Sequence, residues 1–541
     1  MKKAIAVALS CILAVSSITG CSFTGKTDTG ASGTGAAKTT SLTTYVQTEI
    51  PSLNQLAVSD DISFTVLNNI SEGLYRLDKD DQPQPALAKS VKVSDDKLTY
   101  TFTLRDGVKW SNGDPVTSKD FKTAWLKGMS TEATNGYSFI LTDYIVKGLE
   151  YSTGKAKADD VGIKTPDDKT LEVHLLHATP YFLKLTAFVP YFPLNDKFYT
   201  AQGKNYGVGA SNVLSCGPYT IKTFDTAAGA TLEKNSSYWD ASNVKIDTVN
   251  MKVIKDQSTA LNLYKANQLS RVTLSATDVP NYINDKEYST LEQFRTYYLQ
   301  FNTKADGVSN ENIRKALSYA IDTKTMCSTV LKNGSENADG LIPTKMSSGD
   351  GTTAFRSQAG AVVSFDAAKA KEYWAKGVKE LGKTPKLTVV LEDTSEAKDV
   401  ATFLQSQFKQ NLGIDVTIDS KTKKARNALM DANNFQMGIT AWGADYDDPM
   451  TYMELWTNHS PYRGNFNNPE YDKLVEDAKG ETDTAKRAGM LEKAEKILVE
   501  QNMVLSPLYY GGSAILTKSN VKGLITHPCG SGTEFKYASI Q

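Results

Sequence analysis

The sequence predicts an α/β protein of at least two lobes, and three observations carry that expectation. Strand-like and helix-like patterns alternate along the chain without a short repeat. Residues 385–440 read as strand, helix, strand and a further strand, a β-α-β unit that implies a parallel sheet. The chain has 541 residues, about three to four times a typical domain length, so more than one packed unit is expected.

The elements follow in chain order. Lys2 and Lys3 precede a short apolar run at 4–16, closed by Ile18-Thr19-Gly20-Cys21. That run is too short to span a bilayer and has the anatomy of an export signal. Small residues just before a cysteine resemble a bacterial lipobox, which implies cleavage before Cys21 and lipid attachment to its sulfur and amine. Residues 22–40, rich in Gly, Ser, Thr and Ala, read as a flexible tether. No later stretch is apolar for long enough to cross a membrane, so a soluble body anchored on the outer face of the cell membrane is expected.

Leu98, Tyr100, Phe102 and Leu104 alternate with threonines, the mark of a strand with one buried face. Gly107 and residues 112–115 (NGDP) mark turns, and Phe121 and Trp125 follow at helical spacing. Ile313, Ala316, Leu317, Ala320 and Ile321 fit an amphipathic helix over 312–321. Residues 387–391 read as a buried strand. Val400, Phe403, Leu404 and Phe408 mark a helix ending near Gly413, and 414–418 and 435–440 are the next strands. A long helix is expected over 484–501, with Asp483 as N-cap and Met490, Leu491, Ala494, Ile497 and Leu498 on its core face.

Composition excludes several classes. Hydrophobic residues make up 40%, aromatics 9% and charged residues 22%, a globular balance. Lys+Arg (60) against Asp+Glu (61) leaves a net charge of -1, so there is no basic field for nucleic acid. Only four histidines occur, His174, His177, His459 and His527. Such scarcity disfavours a His-rich metal centre or a Ser-His-Asp hydrolase. His174 and His177 lie in a strand-like run, where they would face opposite sides. Cys216, Cys327 and Cys529 form neither a disulfide framework nor a metal cluster. Zinc-protease, nucleophile-elbow and P-loop motifs are all missing, so neither a cofactor nor a metal is expected.

One stretch stands out, 441–449 (AWGADYDDP), directly after the strand expected at 435–440. Small residues, aromatics and acids at the end of a strand suit a ligand site at the carboxyl edge of a sheet. An acidic surface loop capped by Pro449 is the plain alternative.

From about residue 41 onward, ordered landmarks make the chain recognisable. They are Glu72-Gly73-Leu74, LTYTFTLRDGVKWSNGDPVTSKDF (98–121), Cys216-Gly217-Pro218-Tyr219, Asn235-Ser236-Ser237-Tyr238-Trp239, YYLQFNT (297–303), NIRKALSYAID (312–322), WGADYDDP (442–449) and NPEYDKL (468–474). With these the chain resembles the extracellular solute-binding proteins of family 5, and within them the oligopeptide-binding lipoproteins of ABC importers. The resemblance implies a two-lobed, periplasmic-binding-protein-like (type II) fold with a hinge and an inserted domain. The implied division is a signal at 1–20 and a tether at 21–40. Lobe I would comprise 41–71, 196–297 and 511–541, with an inserted domain at 72–195 and lobe II at 298–510.

The same resemblance implies a peptide site and no catalysis. Asp445 matches the carboxylate that holds a peptide's α-ammonium, and Tyr137 the tyrosine beside that amine. Trp442 matches an aromatic wall, and Ala441 to Gly443 a strand that pairs with ligand backbone. Ser59 to Asp61 matches the strand on the other side. Where Gram-negative relatives place two arginines for the peptide carboxylate, this chain has Met430 and Ile439; Arg426, Lys423 and Lys424 are nearby. Implied partners are an oligopeptide, a permease with its ATPases, and the membrane through the lipid on Cys21; a monomer is expected. A cell-wall peptide or a peptide pheromone is an alternative ligand. Asp445 and Tyr137 disfavour the nickel complexes and oligosaccharides bound by other relatives. A lipid-anchored glycosidase or an adhesion lipoprotein are readings of a different class.

Overall fold

The structure, a computed structural model, describes residues 40–541 other than Asn135, 349–352, 459–463 and Ser531. The expected signal, almost all of the tether, Cys21 and His459 lie outside the described residues. No helix among the described residues is long and apolar enough to cross a membrane.

Three larger sheets organise the body. The first has four strands, in the order Ser41–Val46, Thr248–Val253, Gly229–Lys234 and Tyr219–Asp225. Only its first pair is parallel. The second is antiparallel and comes from one continuous stretch, in the order Ala88–Val93, Thr99–Leu104, Thr170–His174 and Ile163–Asp167. Within it Tyr100, Phe102 and Leu104 are buried and the intervening threonines are not, as the period-two pattern requires.

The third sheet carries the site. Its order is Arg271–Thr273, Leu505–Thr517, Tyr288–Phe301, Met437–Gly443, Leu387–Glu392 and Val416–Lys421, with Glu336–Asn337 beside Leu505–Thr517. Leu387–Glu392 is parallel to both of its neighbours, so the β-α-β reading holds at this edge. The other pairings are antiparallel. The crossover helix Ser395–Leu412 buries Val400, Leu404 and Phe408 and stops at Gly413, whose φ of 75° is the left-handed cap that glycine adopts without strain. Tyr288–Phe301 and Leu505–Thr517 are unusually long strands, and the boundaries expected at 297/298 and 510/511 fall inside them.

Several bounds differ from expectation for local reasons. The strand expected at 414–418 is Val416–Lys421, because the helix cap runs on to Ile414, whose N–H bonds back to the Phe408 carbonyl at 3.4 Å. The strand expected at 435–440 is Met437–Gly443, because register with Tyr288–Phe301 continues to Gly443, opposite Arg295. Residues 441–443 therefore belong to the strand rather than following it. The helix near 312–321 is Glu311–Tyr319, capped by Asn310, while Ala320 and Ile321 stay buried beyond its end. The helix at 484–501 begins as expected at the Asp483 cap, but after Glu495 it loosens into a π-turn, Lys496–Gln501. Met490 is only half-buried, whereas Arg487 and Glu495 are fully buried.

Candidate functional site

All seven residues singled out as the peptide site line one cavity of about 950 Å³: Ser59, Asp61, Tyr137, Ala441, Trp442, Gly443 and Asp445. Met430, Ile439, Lys423 and Arg426 line it too. The long strand contributes Arg295, Tyr297, Tyr298 and Gln300, which sequence reasoning did not select. Their register opposite 438–443 brings them in from far away in the chain, a relation that no local pattern reveals.

The floor is a strand with an open edge. Met437–Gly443 pairs along its whole length with Tyr288–Phe301 on one side. On its other side Leu387–Glu392 meets only Met437 and Gly438. Among the described residues, 439–443 have no strand neighbour there, and all five line the cavity. Opposite lies the start of a helix. Residues 59–61 were expected to be a strand, but Asp61 is the first residue of the helix Asp61–Ile70. Asp60 caps that helix by accepting the Ser63 N–H at 2.8 Å, which fixes Asp60 as the last extended residue. The Asp61 carboxylate accepts a hydrogen bond from the Arg295 guanidinium, which packs over Gly443.

Asp445 follows the strand and is 8% exposed. The Tyr137 hydroxyl donates to its Oδ1 at 2.8 Å. The Tyr137 ring is held edge-on to Phe64 and Phe188 and lies flat against Phe139. Burial pushes the Asp445 carboxyl up to about 8, and the charges on Glu454 and Asp61 push the same way; Tyr137 and Arg295 oppose them. Beneath it, Glu454 accepts hydrogen bonds from Tyr446 at 3.0 Å and Tyr144 at 3.2 Å, and burial pushes it up to about 7. A buried carboxyl without a cation favours its neutral form and is stabilised by an incoming ammonium. Among the described residues, no Lys or Arg is ion-paired with Asp445.

The turn 527–530 backs the site. Pro528 accepts the Phe294 N–H at 2.8 Å, and the Gly530 N–H donates to Ala444 at 3.1 Å. Gly530 has φ +67°, and a Cβ there would lie 2.9 Å from the Asp445 carbonyl oxygen, so the turn needs glycine. Cys529 is buried within it as a free thiol; Cys216 and Cys327 are free as well.

The three described histidines do not line the cavity. His174 ends its strand with Glu172 as partner, and His177, beyond the strand, pairs with Glu476. His527 is buried between Asp81 and Glu534.

Known proteins share this architecture. The model of the bacterial extracellular solute-binding proteins, family 5 Middle, matches residues 82–464. The oligopeptide-binding protein OppA of Bacillus subtilis (strain 168) is 32% identical over 539 residues, covering 97% of both chains. Among solved structures, Listeria monocytogenes OppA bound to peptide superposes with a TM-score of 0.83 at 35% identity, over 93% of this chain and 100% of that one. The pheromone receptor PrgZ superposes equally well, with a TM-score of 0.83 at 32% identity and the same coverage. The fold is thus the two-lobed α/β fold of these proteins. From the length of the match and the identity to these relatives, the chain belongs to the bacterial extracellular solute-binding proteins of family 5.

Proposed function

We propose that this chain captures oligopeptides in the cavity beside Met437–Gly443 and hands them to the permease of an ABC importer, without altering them chemically. The observation that carries the reading is the open strand edge at 439–443 ending at a buried acid, Asp445, which is ion-paired with no Lys or Arg among the described residues. Every peptide presents the same backbone donors and acceptors, so adding it as a strand gives affinity that ignores sequence. Its α-ammonium is the one cation common to all free peptides, and Asp445 with Tyr137 is placed at the end of that edge to receive it. Ala441 and Gly443 supply strand backbone, and Trp442 walls a side-chain pocket. Ser59 and Asp61 border the ligand from the opposite side, with Asp61 as part of the Arg295 pair rather than of a strand. The protein acts as a monomer tethered through a lipid on Cys21 to the outer face of the membrane. Residues 41–71, 196–297 and 511–541 form one lobe, 72–195 an inserted domain and 298–510 the other lobe.

Native mass spectrometry of the purified protein tests this directly. Adducts in the mass range of short peptides, displaced by added free-amine peptides but not by their N-acetylated forms, are the expected result. Adducts of non-peptide mass, or indifference to N-acetylation, would overturn it. The mass and composition of a co-purified peptide would also separate nutrient, cell-wall and signalling ligands.

A further inference from the structure

His527 is one of only four histidines, and its side chain is 2% exposed. Its Nδ1 lies 2.7 Å from the Asp81 carboxylate and its Nε2 3.4 Å from Glu534. Glu534, fully buried, is also ion-paired with Arg76 at 2.9 Å, and Arg76 with Glu72 at 2.9 Å. Burial by itself lowers the pKa of the imidazole, but the hydrogen bonds to the two carboxylates outweigh it and raise the group to about 9. At neutral pH the ring is therefore charged and both of its N–H groups donate. A neutral ring has one N–H and could serve only one of the two acids. Asp81 sits at φ 57° in the turn between the paired strands Tyr75–Leu77 and Pro83–Pro85. The imidazolium thus ties the turn 527–530 to a hairpin 446 residues away in the chain.

What this tie holds is the backbone leading into Asp445. Three hydrogen bonds close a ring between three segments. The Phe294 N–H donates to Pro528 at 2.8 Å, the Ala444 N–H to Phe294 at 2.6 Å, and the Gly530 N–H to Ala444 at 3.1 Å. Two of the three end on the turn that begins at His527. The Phe188 ring, which meets Tyr137 edge-on, also lies beside Gly530. The turn therefore backs both Asp445 and Tyr137. We infer that His527, which does not line the cavity, is a positioning residue for peptide capture: it fixes the turn 527–530 and, through Gly530 and Ala444, the Asp445 carboxylate that receives the ammonium. This rests on the peptide-binding reading above and adds to it a residue outside the cavity. A charge-assisted hydrogen bond depends on close placement of its acceptor, so a loosened turn weakens recognition of the amine more than the rest of the ligand contact.

The test compares the full-length wild type with His527→Gln, which keeps a hydrogen-bonding side chain without the charge, and with Asp81→Asn. The second variant removes the outer carboxylate at a left-handed position that asparagine adopts readily. Calorimetry with a pool of tri- to pentapeptides, free-amine and N-acetylated, gives the ratio of the two affinities within each protein. Hydrogen-exchange mass spectrometry of the ligand-free proteins reads the segments that carry the Ala444 and Gly530 amides. The preference for the free amine should fall about tenfold in His527→Gln and less far in Asp81→Asn, and both segments should exchange faster. A general loss of stability lowers both affinities together and leaves their ratio alone. If His527→Gln does not fold, Asp81→Asn decides. An unchanged ratio in the folded variants, or exchange no faster than in the wild type, overturns the positioning role. Wild-type binding that ignores N-acetylation overturns instead the peptide reading, and the role falls with it.

Discussion

Asp445 and Asp448 stand in one short segment, and the fold completes one of them while leaving the other open. Asp448 is fully buried and gripped by both terminal nitrogens of Arg487, at 2.8 and 2.9 Å. Asp447, between them, is also complete: it accepts from Lys184 at 2.7 Å and from the Ser347 N–H at 2.9 Å. Asp445 accepts from a tyrosine hydroxyl and, among the described residues, is ion-paired with no Lys or Arg. The difference separates two uses of a buried acid. Paired internally, it holds elements together; Asp445, hydrogen-bonded to a tyrosine hydroxyl and ion-paired with no Lys or Arg among the described residues, is the acid the proposed function assigns to the ligand's ammonium.

Arg487→Met should have the largest effect on stability. It leaves Asp448 buried and unpaired, and breaking such a pair costs about 3–5 kcal/mol. Urea unfolding reads the loss, and a change below about 1 kcal/mol would dissolve the contrast between the two acids.

Asp445→Ala should act on binding instead. Free-amine peptides should bind about a hundredfold more weakly or worse, while the urea midpoint at neutral pH should not fall. The sign follows from linkage. The folded carboxyl, at about 8, lies above its ordinary 3.8, so the ligand-free folded state keeps a proton that the unfolded chain releases. The group therefore lowers stability as pH rises between those values, and the alanine variant should lose stability less steeply over that window.

Binding should carry the same signature. An ammonium favours ionised Asp445, so peptide affinity should rise with pH toward about 8 and decline above it as the ligand's amine loses its proton, near about 8. A pH-independent affinity between 6 and 8 in calorimetry would show that the acid is already ionised. The smallest effect is expected from Tyr137→Phe, which removes a single donor to a carboxylate and should weaken binding about tenfold.

Much of this was legible from local pattern. The alternation at 98–104 and the helix–Gly413 boundary are period and cap signals, and both persist in the structure. Asp445 and Tyr137 came from resemblance, since spacing alone could not choose among three nearby acids. At 59–61 the local sequence itself signals a helix start: consecutive acids precede Ile62 and Phe64, with Asp60 as cap. Arg487 carried a signal too, being four residues before Leu491 and seven before Ala494, on the core face of its helix. A charge in that position announces a buried partner but not its identity. Arg295 and the extension of the strand to Gly443 depend on register between segments far apart in the chain, which local sequence does not encode.

The turn behind the site has a consequence in the time domain. Cys529 is enclosed where the turn 527–530 is tied to Phe294 and Ala444, directly behind Asp445. Burial holds its thiol well above the ordinary value, so it reacts as a thiolate only when that enclosure parts. The rate at which an alkylating reagent modifies it would therefore measure how readily that turn is exposed. Cys529 thus sits one residue from Gly530, whose N–H holds the Ala444 carbonyl, so its labelling rate would report on the turn behind Asp445.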